Sequence, residues 1–166
     1  MIVFGVDPGT VVLGYGVVAT AGRGNRALDY GVIRAPRRGG LDYADRLRRI
    51  ADGLAEQLDR FPVDVLALEE AFFGKSVQSA LRIGEARGIV LLAAARAGIP
   101  VAQYTPATIK KAVTGKGGAA KEQVQEMVRL SLGLATRPAP ADAADALAIA
   151  LCHLVRGEHL GRLGLA

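Results

Sequence analysis

The chain has 166 residues, 51% of them hydrophobic, with a formal net charge of +5, a pI near 9.7 and a mean hydropathy of +0.26. That length suits one domain with a sizeable core, and the basic balance points to a polyanionic partner. The lone Cys152 excludes an internal disulfide and reads as a small buried hydrophobe; the longest apolar run, "GIVLLAAA" (88–95), is too short to cross a bilayer. The opening "MIVFGVDPG" lacks the basic region of a secretory signal, so the expected location is the cytoplasm, with no membrane partner.

In chain order, "IVFGVD" (2–7) and "YGVVAT" (15–20) read as strands joined by the turn "PGTVVLG". "RALDYGVIRA" (26–35) continues them as a third strand, giving an antiparallel meander. Leu47, Ile50, Leu54 and Leu58 recur at helical spacing through 41–61. The nearly continuous apolar run "VDVLALEE" (63–70) suits a strand covered on both faces. A long helix at 76–97, a short strand "PVAQY", and helices near 105–113, 121–133 and 141–156 follow. The expected fold is therefore α/β: a five-stranded mixed sheet, three strands in an antiparallel meander and two parallel, with helices on both faces. Residues 1–157 are expected to form this single domain and 158–166 a short C-terminal tail.

Acids stand at telling places in that frame. Asp7 closes the first strand and Glu69 the fourth, at the carboxyl edge where α/β sheets bind ligands. Asp7 also reads as an ordinary turn acid before Pro8-Gly9. Glu69 and Glu70 point to opposite faces of an extended chain, and the strand itself leaves open which one faces inward. No cationic residue neighbours either strand end, so a metal is a candidate partner. In "ADAADALAIALCH" (141–153), Asp142 and Asp145 lie about 60° apart on one helical face. Acids there complement a helix dipole, which accounts for Asp142 better than for Asp145, beside the apolar stripe Ala144, Leu147, Ala148 and Leu151.

The stretch "TIKKAVTGKGGAAKEQVQEMV" (108–128) is Gly-rich and opens a helix, with lysines at both ends. It is no Walker A loop, lacking Gly-Lys-Ser/Thr, but exposed amides and ammonium groups suit a phosphate backbone; a solvated surface loop is the plainer reading. Ala80, Gly84 and Gly88 make a small-residue stripe that permits close helix approach, inside the domain or from another copy. His153 and His159 are too few and badly spaced for zinc.

Four blocks, "GVDPGT" (5–10), "ALEEAFF" (67–73), "GKGGAAKEQVQEMV" (115–128) and "DAADALAIALCH" (142–153), closely resemble the RuvC family of Holliday-junction resolvases, in order and over nearly the whole chain. The resemblance implies a ribonuclease H-like fold and a four-acid site of Asp7, Glu69, Asp142 and Asp145 that binds Mg²⁺ or Mn²⁺. The family pattern of Glu, two residues, then Phe selects Glu69 over Glu70. Two ions about 3.5–4 Å apart would activate water and stabilise the leaving oxygen in an in-line displacement. The implied reaction is paired, symmetric nicking of four-way DNA, leaving 5′-phosphate and 3′-hydroxyl ends, in recombination and repair. By the same resemblance Lys110 and Lys121 join the catalytic set near the scissile phosphate. Lys75, Lys111 and Lys116 add attraction for DNA, and Phe72, with Phe73 beside it, resembles a wedge at the junction; one of this pair is expected in the core. Implied partners are junction DNA, a second copy of the chain through the 76–97 helix, and the RuvA–RuvB branch-migration complex.

Three alternatives compete: another ribonuclease H-like nuclease of the YqgF type, sharing the DPG opening; an actin-like ATPase fragment, whose fold needs two lobes; and a non-catalytic junction-binding module.

Overall fold

The computed structural model describes residues 1–22, 24–35, 42–70 and 77–162. The meander forms as expected: β1 (Ile2–Asp7), β2 (Val12–Ala21) and β3 (Gly24–Arg34) pair antiparallel in sequence order. β4 (Val65–Glu69) lies parallel to β1 on its other side, and β5 (Val101–Tyr104) parallel to β4, giving the order β3-β2-β1-β4-β5. This is the ribonuclease H-like arrangement that the resemblance implies.

β2 starts earlier than its sequence suggests. The stretch 12–14, read as part of the turn, pairs with β3 through Val12↔Arg34 and Leu13↔Ile33, and the β-branched Val12 suits that pleat. The true turn is correspondingly tight, and a side chain on Gly9 would overlap the carbonyl of Val12.

Among the described residues five helices complete the fold: α1 (Tyr43–Asp59), α2 (Val77–Arg96), α3 (Pro106–Thr114), α4 (Lys121–Ser131) and α5 (Ala141–Arg162). α1 begins at Asp42, whose carboxylate accepts from the Asp45 amide at 2.7 Å. α3 begins at Thr105 with Pro106 behind it, and ends on Gly115 at φ 77°, a left-handed cap that glycine adopts without strain. Residues 158–162, read as tail, continue α5.

The two faces of the sheet carry separate cores. Phe4, Val6, Leu13, Val17, Leu66 and Leu68 pack against Ile50, Leu54, Val90 and Ala94 of α1 and α2. Val3, Val18 and Ala67 face α3, α4 and α5 through Ile109, Val124, Val128, Leu147 and Leu151. Strand alternation makes that division.

On the second face the middle of the sheet is glycine. Gly5 and Gly16 are direct partners across β1 and β2, and Gly14 opposes Asp7. A Cβ on Gly5 would overlap the Ala146 carbonyl, one on Gly14 the Asp142 carbonyl, and one on Gly16 would lie 2.8 Å from the Leu147 side chain. α5 thus rests its backbone directly on the strands, with Ala143, Ala144, Ala146, Ala148 and Ala150 all buried.

Candidate active site

β1 and β4 are parallel neighbours with Val6 opposite Leu68, so Asp7 and Glu69 end adjacent strands side by side. Val6 and Leu68 belong to the α1–α2 core, which turns Asp7 and Glu69 to the α5 face. Glu70 lies beyond the strand and is exposed, its amide donating to the Tyr104 carbonyl at 2.8 Å. The ambiguity between the two glutamates is thereby settled in geometry: Glu69 enters the cleft.

That cleft has a volume of about 320 Å³ and takes Asp7, Glu69, Lys110, Lys121 and Asp145 as its polar lining, with an apolar wall from α3, α4 and α5. Asp145 reaches it because the glycine face lets α5 descend onto the strands. Asp142, one turn earlier, is partly buried and does not line the cleft, although its charge bears on Asp7.

The electrostatics are strained by like charge. Burial, then the carboxylates of Asp145, Glu69 and Asp142, push the Asp7 carboxyl up to about 7. Glu69 is also raised, by burial and then Asp145, against the opposing pull of Arg87, Lys110 and Lys121. The Lys121 ammonium donates to Asp145 at 2.7 Å, and that bond holds its pKa above the usual lysine range.

Cations therefore do stand near the acids, contrary to expectation from the local sequence. They arrive from α2, α3 and α4 rather than from the strands. Arg87 of α2 donates through Nη1 to the Glu69 carbonyl and through Nη2 to Gln103, fixing the end of β4.

Among the described residues no three His, Cys, Asp or Glu side chains converge into a closed ion cage. The acids form an open cluster. Its donor chemistry still fits a hard divalent cation, since it offers carboxylate oxygens and a crowding of negative charge that such an ion would relieve. His153 is spoken for, with Nδ1 2.7 Å from the Tyr104 hydroxyl, and Cys152 is fully buried.

Lys111 and Lys116 are exposed and outside the cleft. Phe72, Phe73 and Lys75 lie outside the described residues. On α2, a Cβ added at Gly84 or Gly88 would meet no described residue within 4 Å, while Val77 (79%) and Leu81 (64%) are strongly exposed. Among the described residues nothing packs against the small-residue stripe at those two glycines. The sequence reading does not pick out Arg87 or the glycine trio. Gly14-x-Gly16, at alternate positions of one strand, carried a readable signal for the trio; Arg87 carried none.

The family model for crossover junction endodeoxyribonuclease RuvC matches residues 3–153. A protein of that name from Chloroflexus aggregans is 51% identical over 162 residues, covering 98% of each chain. Another from Moorella thermoacetica is 50% identical over 153 residues, covering 92% of this chain and 90% of the relative. Among solved structures, T. thermophilus RuvC in complex with Holliday junction substrate superposes with a TM-score of 0.89 at 42% identity, over 100% of this chain and 98% of that one.

Proposed function

This chain belongs to the RuvC family of crossover junction endodeoxyribonucleases, and from that premise we propose that it resolves four-way DNA junctions by paired, metal-dependent nicks. The observation that carries the reading is the cleft itself. Carboxylates from β1, β4 and α5 meet lysines from α3 and α4 at the carboxyl edge of the sheet. The YqgF-type and ATPase readings fall with the family assignment.

Asp7, Glu69 and Asp145, which line the cleft, together with Asp142 one turn earlier on α5, are the residues that would hold Mg²⁺ or Mn²⁺, two ions per site. Such ions, when bound, supply charge neutralisation at the phosphate and a water acidic enough to attack at neutral pH. The protein's own groups do the placing. Asp7 and Glu69 are fixed by strand pairing, with Arg87 holding the Glu69 main chain. Lys110 and Lys121 face the same space and would orient the phosphate and offset charge developing on it. Hydrolysis then leaves 5′-phosphate and 3′-hydroxyl ends.

A second copy docks on α2. Its exposed Val77, Leu81 and Leu92, with Gly84 and Gly88 open to a close neighbour, offer the apolar surface a two-fold dimer needs, and two-fold symmetry matches paired nicking. Junction DNA and the RuvA–RuvB complex are the other partners, and the cytoplasm the place of action. No helix among the described residues is long and apolar enough to cross a membrane.

The test offers a labelled four-way junction and a linear duplex of the same sequence, with chelator, Mg²⁺ or Mn²⁺. Symmetric nicks in the junction alone, only with metal, are expected; Asp7→Asn should bind the junction without cutting it. Cutting of the duplex at an equal rate, or undiminished cutting in chelator, would overturn the reading.

A further inference from the structure

A second cavity, of about 480 Å³, opens on the opposite side of the β1 end from the acids. Its polar lining is Thr10, Arg46, Gln78, Ser79 and Arg82, from the turn after β1, from α1 and from the start of α2. Among the described residues two guanidiniums, two hydroxyls and an amide line it, and no carboxylate does. The composition is that of an anion site.

Three details sharpen it. Arg46 Nη1 is buried and has no hydrogen-bond partner among the described residues, so a charged donor is held out of water without an acceptor there. The Tyr43 ring lies against both guanidiniums, 5.0 Å from Arg46 and 3.8 Å from Arg82, and holds them at the same place. Arg82 is further anchored through Nη1 to Glu85 at 3.2 Å, and the Tyr43 hydroxyl donates to the same carboxylate. Thr10, the buried polar side chain among the described residues, sits three positions after Asp7, so the cavity adjoins the strand end that carries the acids.

We infer that Arg46 and Arg82, with the hydroxyls of Thr10 and Ser79, bind a backbone phosphate of the DNA strand beyond the one being cut. The inference rests on the junction-cleavage reading for the identity of the anion. The phosphate supplies the acceptor that Arg46 Nη1 lacks, and its non-bridging oxygens suit the forked donors of the guanidiniums. The strand would then be gripped on the α1–α2 side of β1 and cut on the α5 side.

The experiment measures binding of the intact protein to a labelled four-way junction and to linear duplex, in chelator, across a salt series. Arg46→Gln and Arg82→Gln are compared with Arg46→Lys and with Arg48→Gln, an exposed arginine of the same helix paired to Asp45. Each Gln variant should lose about tenfold in affinity, the worth of one charge-assisted hydrogen bond. The slope of log affinity against log salt should become shallower by about 0.9, as for one phosphate contact to duplex DNA. Arg46→Lys should keep the wild-type slope, and Arg48→Gln both slope and affinity. A fall in affinity at unchanged slope, or no fall at all, would overturn the pocket, because damage to packing does not change the number of phosphates neutralised. The two proposals fail separately. Unchanged slopes in a protein that still nicks junctions remove only the pocket, and altered slopes in one that never nicks remove only the cleavage reading.

Discussion

The two faces of the sheet are built on opposite principles. Toward α1 and α2, the strands present Phe4, Val6, Leu13, Val17, Leu66 and Leu68, and contact is made by interlocking side chains. Toward α5, the centre of the sheet presents Gly5, Gly14 and Gly16, and contact is made by backbone against backbone. A side-chain layer can repack around a change, whereas a main-chain contact has nothing to rearrange. The face that must hold acids from three elements at fixed separations is the one without side chains at its centre.

The largest expected effect breaks this contrast at its hardest point. Gly5→Ala should destabilise the protein by more than about 4 kcal/mol or prevent folding, since the new methyl overlaps the Ala146 carbonyl. Leu68→Met, fully buried on the other face, should cost less than about 1.5 kcal/mol. Urea unfolding of the two variants checks the pair, and equal losses would erase the distinction between faces.

Next comes the charge that the rigid face traps. Asp7 has an ordinary value of 3.8 and is raised to about 7, so between those limits the folded state binds its proton more tightly than the unfolded one. In chelator, its contribution to stability is therefore greatest below pH 4 and declines as pH rises through that window. The loss has an upper limit of about 4 kcal/mol, reduced by the openness of the cleft to water. Asp7→Asn should melt higher than wild type at pH 8 in chelator and much less differently at pH 4. A wild-type protein equally stable at both ends, with no gain from Asp7→Asn, would contradict the crowding of acids.

Lys121 tests the cleft from its rim. The pair with Asp145 is half exposed, with side-chain exposures of 54% and 31%, so Lys121→Ala should change stability by less than about 1 kcal/mol. Turnover should nevertheless fall about a hundredfold, as for loss of one donor to a developing charge. Loss of stability without loss of turnover would make the lysine a strut.

The smallest effect lies farther out. Glu126 accepts from Arg129 and Arg137, and those bonds lower its carboxyl to about 2. Arg129 also donates to the Leu134 carbonyl, tying the loop that leads into α5. This stabilisation is present above pH 4.5 and lost as pH falls toward 2, so Glu126→Gln should melt slightly lower than wild type above pH 4.5, meet it near pH 2, and so show a flatter acid limb of the melting profile.

Much of this was readable in the chain before folding. Hydrophobic spacing located the strands and helices, because burial on both faces writes itself into apolar runs. It slipped at two ends: at the start of β2, where a Pro-Gly turn signal stood beside residues that prefer the pleat, and at the end of α5, which runs six residues past the expected 156. The acids were visible as charges in apolar surroundings. Their surroundings were not: Lys121 meets Asp145 across 24 positions and Arg87 meets Glu69 across 18, and neither separation leaves a local trace. Glu69 and Glu70 could be ordered only by family pattern, since a strand buried on both faces hides its own alternation. The basic pocket was invisible because its arginines lie on different helices, each among ordinary surface charges.

Cys152 is the chain's one thiol, fully buried in the middle of α5, with burial pushing it up to about 11. A thiol in that state does not react with an alkylating reagent while the helix is seated. The rate at which it labels therefore reports how often α5 lifts from the sheet, in native buffer and without denaturant. The protein carries its own clock for the motion that would separate Asp145 from Asp7, and the clock can be read in the presence of DNA, of metal, or of neither.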